Sequence, residues 1–445
     1  MMMLGIIVVL FSVLVLVVSE DEVRRGIVIP IGPKPVHFAG AWATIKAIRQ
    51  RYNSMLSVEL WCYAGELQHF PTSVINKIAS EPLVEIKTIP VPLDTEKVIP
   101  DWDLKGEWYE DYLRFASMPL ALIHTKLDEV IAMDADAVLM VDPASLFDTF
   151  QYHDTGTLFL WDKLIDYWPA WYPQYDKTWM YRFLLEFDNS RFTSIPLDTR
   201  TIDFINKKQR ALFVAERAVT QHTMDSSLLV MDRRRHARTL AVLEELTVAQ
   251  GANVYQHTYG DKETYWMAAL LAGSSMSFND WAVGHWSHPS YVNGTQVCRG
   301  TNLLEPGSVH FMPGETNEIL VLNECKSIGC AQFGIRKLQY SSRISRGDHH
   351  RMYYGRGGKV RLPMFNGTLP RGTKDVEDGR RNPGVQRYHS LWYDRSECFK
   401  FPEADMSKLI EQRALMQAGI DIFCEIKSYC KRHHRYGQKN VNTRR

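Results

Sequence analysis

Two aspartates stand one residue apart in "EVIAMDADAVLMVDPASLF" (129–147), directly after an apolar run. Side chains alternate along an extended backbone, so Asp134 and Asp136 are expected to point the same way. Two such carboxylates repel each other unless a cation lies between them, and hard oxygen ligands suit Mn²⁺ or Mg²⁺. The alternative is a turn in which the aspartates satisfy backbone N–H groups. A second D-x-D, Asp101-Trp-Asp103, lacks a preceding apolar strand, so the prediction rests on context.

The elements before this pair predict an α/β fold. "RRGIVIPIG" and "SVELWCYAG" are predicted strands, and apolar residues at 38, 41, 42, 45 and 48 predict a helix between them. "EVIAM" is continuously apolar, which is typical of a parallel strand buried on both faces. We therefore expect a mostly parallel central sheet with its ligands at the carboxyl ends of the strands, where Asp134 stands.

Further helices and strands are predicted downstream. "SMPLALIHTKL" predicts a helix with Ser117 as its N-cap, and "SSLLVM" (226–231) predicts a strand. Asp232 is expected to cap a helix, and "GDKETYWMAALLAG" predicts another helix, capped by Asp261 and ended by Gly273. The core face of the helix after Asp232 is predicted to contain Leu240, Leu243 and Leu246.

The N-terminus predicts a secretory route. Residues 1–18 carry no charged side chain, and residues 1–19 are either a signal peptide or a short membrane anchor. Both alternatives place the remaining chain in the secretory lumen. The formal net charge of +1 gives no indication of a nucleic-acid partner.

The cysteines and glycosylation triplets fit that compartment. Cys62 lies in an apolar strand and is predicted to be a buried free thiol. Six further cysteines in the C-terminal half are expected to form up to three disulfides: Cys298, Cys325, Cys330, Cys398, Cys424 and Cys430. Asn293 and Asn366 each begin an Asn-Gly-Thr acceptor triplet.

The chain changes character past about residue 340, where Gly, Pro and Arg become frequent and periodicity is lost. We predict one domain at 26–335 and a basic, loop-rich C-terminal extension at 336–445. A helix near 403–423 is expected within the extension.

Three stretches resemble a known family. "KLDEVIAMDADAVLMVDPASLF" is similar to the segment around the metal-binding aspartates of glycogenin-like and fungal-type α-1,3-mannosyltransferases. "DSSLLVMDRRRH" (225–236) and "VYQHTYGDKETYW" (254–266) resemble the mannosyltransferase branch. The resemblance covers roughly residues 26–330, and its most specific block is the last one.

That resemblance implies a GT-A (Rossmann-like) nucleotide-diphospho-sugar transferase fold. It also implies GDP-mannose as the nucleotide-sugar donor, Mn²⁺ or Mg²⁺ as cofactor, retention of the anomeric configuration, and a glycan or glycoprotein acceptor. The implied location is the Golgi membrane as a single-pass type II protein with a lumenal catalytic domain, or the secretory lumen if the signal is cleaved.

Site roles are carried over from the resemblance by position. Asp136 is implied as the direct metal ligand, and Asp134 as a residue on the ribose and metal side. Asp225 and Asp261 are implied as catalytic residues near donor sugar and acceptor, where a carboxylate would stabilise a positively charged glycosyl transition state. Lys262 is implied in donor binding.

Two positions depart from the related families. A lysine usually found sixteen residues before the first metal aspartate is Met118 here, and Arg114, one helical turn earlier, is the substitute for donor binding. For the histidine of the metal shell, His310 in "GSVHFMPGE" is the best match by context, with His285 and His288 as rivals.

Two alternatives to a mannosyltransferase stay open. One keeps the fold and uses UDP-glucose or UDP-galactose. The other is a catalytically inactive, transferase-like sugar-binding module, which Met118 favours and the intact aspartate pair opposes. The aromatic stretch 159–179 is either an acceptor platform or loop packing.

Overall fold

A computed structural model describes most of the N-terminal two thirds of the chain. The described residues are 23–32, 35–90, 107–161, 177–197, 224–258, 260–279, 284–287, 290–292, 295–297, 307–313, 319–322, 339–341, 398–400 and 421. Several predictions lie outside them. These concern the N-terminal apolar segment, both Asn-Gly-Thr triplets, the disulfide pairing and nearly all of the helix expected at 403–423.

The described part of the chain contains both strands and helices. In chain order, the strands are β1 (Arg25–Pro30), β2 (Ser57–Tyr63), β3 (Val84–Ile89), β4 (Glu129–Met133), β5 (Val138–Leu139), β6 (Thr157–Trp161), β7 (Met224–Asp232), β8 (Gly284–Ser287), β9 (Ser290–Val292), β10 (Thr295–Val297), β11 (Gly307–Phe311), β12 (Ile319–Leu322), β13 (Gln339–Ser341) and β14 (Cys398–Lys400). The helices are α1 (Pro35–Lys46), α2 (Thr72–Ala79), α3 (Glu107–His124), α4 (Phe150–Thr155), α5 (Lys177–Glu186), α6 (Ala237–Glu244), α7 (Gly251–Thr258) and α8 (Thr264–Ala272).

The central sheet has six strands in the order β3-β2-β1-β4-β7-β6. Strands β1 to β4 are mutually parallel where they pair, while β7 runs antiparallel to both β4 and β6. The predicted α/β class with a mostly parallel sheet is confirmed, as are the strands expected at "GIVIP", "VELWCY", "EVIAM" and "SSLLVM".

Hydrophobic cores cover both faces of the central sheet. On β4, Val130 and Ala132 face one core, and Ile131 and Met133 face the other, as the two-residue period of a strand requires. Helices α3, α6 and α8 pack on the first face, and α1 and α2 on the second. Helices on both faces explain why this strand is apolar throughout.

A second six-stranded sheet, in the order β14-β13-β8-β11-β12-β5, adjoins the central one. Its edge strand β5 follows β4 after four residues, so the chain passes from one sheet to the other at 134–137. Strands β13 and β14, which lie in the predicted C-terminal extension, pair with each other, and β13 also pairs with β8. The domain boundary at 335/336 stays a prediction.

The prediction that Ser117 caps a helix is wrong. Helix α3 begins at Glu107, and Ser117 lies inside it with its Oγ donating to the Arg114 carbonyl (2.7 Å). The helix continues through Pro119 because its apolar face is buried on the sheet, with Ala116, Leu120 and their neighbours in the core. Tertiary packing outweighs the local cost of the proline here.

Two further caps differ from expectation. Asp232 Oδ1 accepts the Arg234 N–H (3.0 Å) in the turn before α6, and the helix itself begins at Ala237. The Asp261 carbonyl, not its side chain, accepts the Thr264 N–H at the start of α8. In both cases an extra turn separates the aspartate from the helix. Gly273 ends α8 with a φ of 72°, as predicted. The predicted core leucines are buried: Leu240, Leu243 and Leu246.

Several smaller predictions are also resolved. Cys62 is a buried free thiol, as expected, and burial raises its pKa to about 12. Phe159 and Trp161 pack in the core, so these two aromatic rings are not available to an acceptor. Among the residues described here, no helix has the length and apolar character needed to cross a bilayer.

A substitution at Gly26 tests the close packing of β1 against β2. A Cβ atom at this position would lie 2.7 Å from the Ser57 carbonyl oxygen and 2.7 Å from Leu127 Cδ1. We expect Gly26→Ala to lower the free energy of unfolding by about 1–3 kcal/mol, because backbone oxygen cannot move aside. The measurement is urea unfolding followed by circular dichroism. Gly65→Ala is the control, since nothing lies within 4 Å of its Cβ position; equal losses would contradict the packing argument.

Candidate functional site

The aspartate pair lies in a tight turn at the carboxyl end of β4. The Asp134 N–H donates to the Ser227 carbonyl on β7 (2.9 Å), and the Ala137 N–H closes the turn on the Asp134 carbonyl (3.1 Å). The expected extended backbone through Asp136 is therefore wrong, since the strand ends at Met133. Backbone groups close the turn, and the two half-buried carboxylates lie where the prediction put them, at the end of the strand.

Asp225 reaches the same end of the sheet through an irregularity in β7. Pairing between β6 and β7 passes from Leu158 opposite Val230 to Leu160 opposite Asp225, so four residues of β7 face one of β6. The bulge turns the Asp225 side chain inward, where Oδ1 accepts the Ser227 N–H (2.8 Å) and only 6% of the residue is exposed. Bulges of this kind commonly redirect a side chain beside a site.

His310 comes to Asp225 from the second sheet. It lies on β11 next to a second register shift, and its Nε2 is 3.0 Å from Asp225 Oδ2. Both side chains are buried, so this is a contact between the two sheets. Of the rival histidines, His285 is on β8 opposite Ser308, and His288 lies outside the described residues.

Asp261 is partly buried at the start of the "GDKETYW" motif. Its Oδ2 accepts a hydrogen bond from the Tyr265 hydroxyl (2.7 Å). Burial and, to a smaller extent, the negative charge of Asp225 raise the pKa of Asp261 to about 6, while the hydrogen bond from Tyr265 and the charge of Lys262 oppose the shift. Burial, followed by the charges of Asp261 and Asp134, raises the pKa of Tyr265. Asp134 and Asp225 are linked through Ser227, whose carbonyl accepts the Asp134 N–H and whose N–H donates to Asp225, and the charge of Asp225 acts in turn on Asp261.

Gly260 allows this motif to approach α3 closely. Its φ of 91° is in the left-handed region, and a Cβ atom would lie 2.6 Å from the Phe115 ring. Thr258 Oγ1 donates to the Gly260 carbonyl (2.7 Å) and fixes the turn. Glycine at this position lets the chain pass close to α3 immediately before Asp261.

The predicted donor-binding residues on α3 occupy different environments. Met118, at the position where related families have a lysine, is 3% exposed and packs in the core. Arg114 is one turn earlier on the same helix, as expected, and its side chain is exposed. Its role in donor binding stays a prediction, as does that of Lys262 beside Asp261.

Three residues of the site escaped the sequence analysis. The Ser227 hydroxyl is buried with no hydrogen-bond partner among the described residues, and the Ser227 backbone bonds to both Asp134 and Asp225. Tyr265 donates to Asp261, and Glu263 is a fully buried carboxylate in the same motif. All three stand inside the quoted motifs, but only tertiary contacts reveal what they touch.

The residues at the turn fit a divalent cation that takes part of its ligands from a substrate. In the part of the chain described here, no three His, Cys, Asp or Glu side chains lie close enough together to hold a metal alone. Asp134 and Asp136 supply hard oxygen atoms, and Mg²⁺ or Mn²⁺ commonly combines one or two carboxylates with phosphate oxygens and water. His310 lies against Asp225, and its predicted role as a metal ligand remains a prediction.

Fold and site together define an α/β protein with a partly buried acidic site at the end of a parallel strand. The model of the mannosyltransferase family described as "Mannosyltransferase putative" matches residues 24–301. The chain belongs to this family, and the resemblance found in the sequence is confirmed.

Curated relatives are fungal. The chain is 24% identical over 192 residues to "Putative alpha-1,3-mannosyltransferase MNN14" of Candida albicans, covering 43% of this chain and 25% of that protein. It is 23% identical over 310 residues to "Alpha-1,3-mannosyltransferase MNN1" of Saccharomyces cerevisiae, covering 63% and 39%. The chain thus spans between a quarter and two fifths of the length of these two relatives.

A distant likeness to solved structures accompanies these matches. The mannosyltransferase Ktr4p from S. cerevisiae in complex with GDP aligns with 58% of this chain and 69% of its own, at 10% identity and a TM-score of 0.37. Core-mannan synthase A from Aspergillus fumigatus, in its Mn/GDP form, aligns with 59% and 74%, at 8% identity and a TM-score of 0.35.

The raised pKa of Asp261 predicts a pH-dependent stability. Between about pH 4 and 6 the folded protein keeps a proton that the unfolded chain releases, so the free energy of unfolding falls as pH rises through this window. The shift from 3.8 to about 6 corresponds to about 3 kcal/mol, lost fully above pH 6. Asp261→Asn cannot titrate and still accepts the Tyr265 hydroxyl. We expect it to match the wild type near pH 4 and to exceed it at pH 7.

Urea unfolding at both pH values measures this difference. Asp188→Asn is the control of opposite sign, because hydrogen bonds from Ser190 hold the pKa of exposed Asp188 below its usual value. Its carboxylate stabilises the fold above pH 4, so the asparagine variant should lose stability there. An Asp261→Asn variant that is no more stable than wild type at pH 7 would contradict the assigned environment.

Proposed function

We propose that this protein is a metal-dependent, retaining α-mannosyltransferase that moves mannose from GDP-mannose to a glycan or glycoprotein acceptor. The observation that carries the proposal is that Asp225 is joined through Ser227 to the Asp134–Asp136 turn at one end of the parallel sheet, with Asp261 close enough for the charge of Asp225 to act on it. Membership of a mannosyltransferase family supports it. The GT-A name for the fold is part of the same proposal.

Each carboxylate has a role in this reaction. Asp134 and Asp136 hold Mn²⁺ or Mg²⁺, which when bound neutralises charge on the diphosphate leaving group. Asp225 and Asp261 face the sugar, where a carboxylate stabilises positive charge on the ring as the glycosidic bond breaks. Lys262 and Arg114 contact the donor. His310 either completes the metal shell or keeps its hydrogen bond with Asp225.

We also propose a lumenal location. The apolar residues 1–18 support entry into the secretory pathway, either as a Golgi signal-anchor or as a cleaved signal peptide. The acceptor would then be a glycan already attached to a secretory protein.

One observation favours an inactive, sugar-binding module instead. Met118 is buried in the core, so this position cannot supply the cation that related families direct at the nucleotide or its phosphates. Arg114 and Lys262 would have to replace that charge.

Asp136→Ala tests the proposal. Calorimetric titration of GDP-mannose with Mn²⁺ should give saturable binding to the wild type, which chelator abolishes. The variant should lose at least about tenfold in affinity, because one of two protein ligands to the ion is gone. GDP and UDP-glucose are titrated in parallel, and transfer of radiolabelled mannose to mannose oligosaccharides is measured on the same samples.

Asp142→Ala is the matched control, since it removes an exposed carboxylate six residues after Asp136. The Asp142 side chain accepts the Ala144 N–H at the start of a short 3₁₀ helix. It should bind the donor as the wild type does. Preference for UDP-glucose would move the function to the alternative donor. Sugar binding without nucleotide or metal dependence would favour the inactive module, and no nucleotide binding at all would overturn the transferase.

A further inference from the structure

Glu263 is a fully buried carboxylate that the proposed reaction does not use. It lies two residues after Asp261, and none of its surface is exposed although its side chain can carry a charge. Taking a carboxylate out of water costs several kcal/mol unless hydrogen bonds replace the lost hydration. Its place in the core therefore requires specific partners.

Both carboxylate oxygens of Glu263 have such a partner. Oε2 accepts the indole N–H of Trp266 (2.5 Å), and Oε1 accepts the backbone N–H of Met224 (3.3 Å). Trp266 and Met224 are themselves buried. One side chain thus joins the first turn of α8 to the first residue of β7.

The residue that Glu263 holds on β7 is the one directly before Asp225. Met224 pairs with Trp161 at the end of β6, just before the bulge that turns Asp225 inward. A backbone N–H cannot rotate as a side chain can, so a hydrogen bond to it fixes the path of the strand. From there the chain leads to the contact between Asp225 and His310.

We propose that Glu263 is a positioning residue that sets the place of Asp225 relative to Asp261. The inference rests on the proposed function for its catalytic consequence, while the contacts themselves stand independently of it. Two donors on separate elements converge on one side chain, and only a carboxylate offers an acceptor oxygen to each without presenting a donor. Glutamine has nearly the same shape but must direct its NH₂ group at one of the two N–H groups.

The chain contains a matched control for this substitution. Glu59 on β2 is also buried and accepts the indole N–H of Trp61 (2.9 Å) and the Thr125 hydroxyl (2.6 Å). It lies two strands from β4, and Thr125 precedes β4 whereas the aspartate turn follows it. Both hydrogen bonds end on Oε2, and Lys87 Nζ lies 3.9 Å from Oε1. Glu59→Gln therefore replaces a buried carboxylate away from the site, while its amide oxygen can still accept both hydrogen bonds.

The test compares Glu263→Gln with Glu59→Gln in two measurements, both well below the unfolding temperature of each variant. In steady-state transfer from GDP-mannose, Glu263→Gln should lose about 10- to 100-fold in kcat with little change in the donor KM, because a small misplacement of a reacting group has an effect of that size. Glu59→Gln should keep kcat. Glu263→Asp, which restores two oxygens on a shorter chain, should recover part of the rate.

The second measurement needs no activity. Imidazole signals of His310 in histidine-labelled protein, with Mg²⁺ and assigned through His310→Gln, should shift in Glu263→Gln and stay unchanged in Glu59→Gln. Unchanged His310 signals, or equal kcat losses in both glutamine variants, would overturn the positioning role. A wild type without transfer activity would instead defeat the proposed function, and the His310 signals would still decide whether Glu263 places Asp225.

Discussion

The end of the central sheet depends on one constraint, the proximity of like-charged carboxylates that are largely removed from water. Asp225 is buried and Asp261 is partly buried, and the negative charge of Asp225 disfavours ionisation of Asp261. Such a pair is tolerated only with fixed hydrogen-bond donors, and each aspartate has one from a different element. His310 lies against Asp225 and Tyr265 donates to Asp261. The second sheet, the bulge in β7 and helix α8 are thus all required to keep one site stable.

The passage of the chain from one sheet to the other links this constraint to the aspartate turn. Strand β4 belongs to the central sheet, and β5 pairs with β12 in the second sheet. Residues 134–137 are therefore held at both ends by strand pairing. Strand β12 also pairs with β11, which carries His310. The turn, Asp225 and His310 are therefore connected through backbone hydrogen bonds rather than through flexible side chains, which gives the site its rigidity.

Sequence patterns predicted the features that depend on neighbouring residues along the chain. The apolar continuity of "EVIAM" and the motif around Asp225 were sufficient to locate strands and candidate carboxylates. The second sheet could not be foreseen, because β5 has only two residues and pairs with Val321 and Leu322 far along the chain. The start of α3 was missed because burial carries the helix through Pro119. The partners of Asp261 and Glu263 depend on how helices dock, which no spacing rule encodes.

Burial distinguishes one carboxylate of the acidic site from the other three. Asp225 is buried, whereas Asp134, Asp136 and Asp261 are partly buried. In the proposed function, Asp134 and Asp136 offer an ion fewer ligands than Mg²⁺ or Mn²⁺ requires, so donor phosphates and water must fill the remaining positions. Binding of ion and donor is then coupled, and each must raise the affinity of the other by the same factor. Asp225 is held by the Ser227 N–H and by His310, so its geometry can be set by the fold before any ligand arrives.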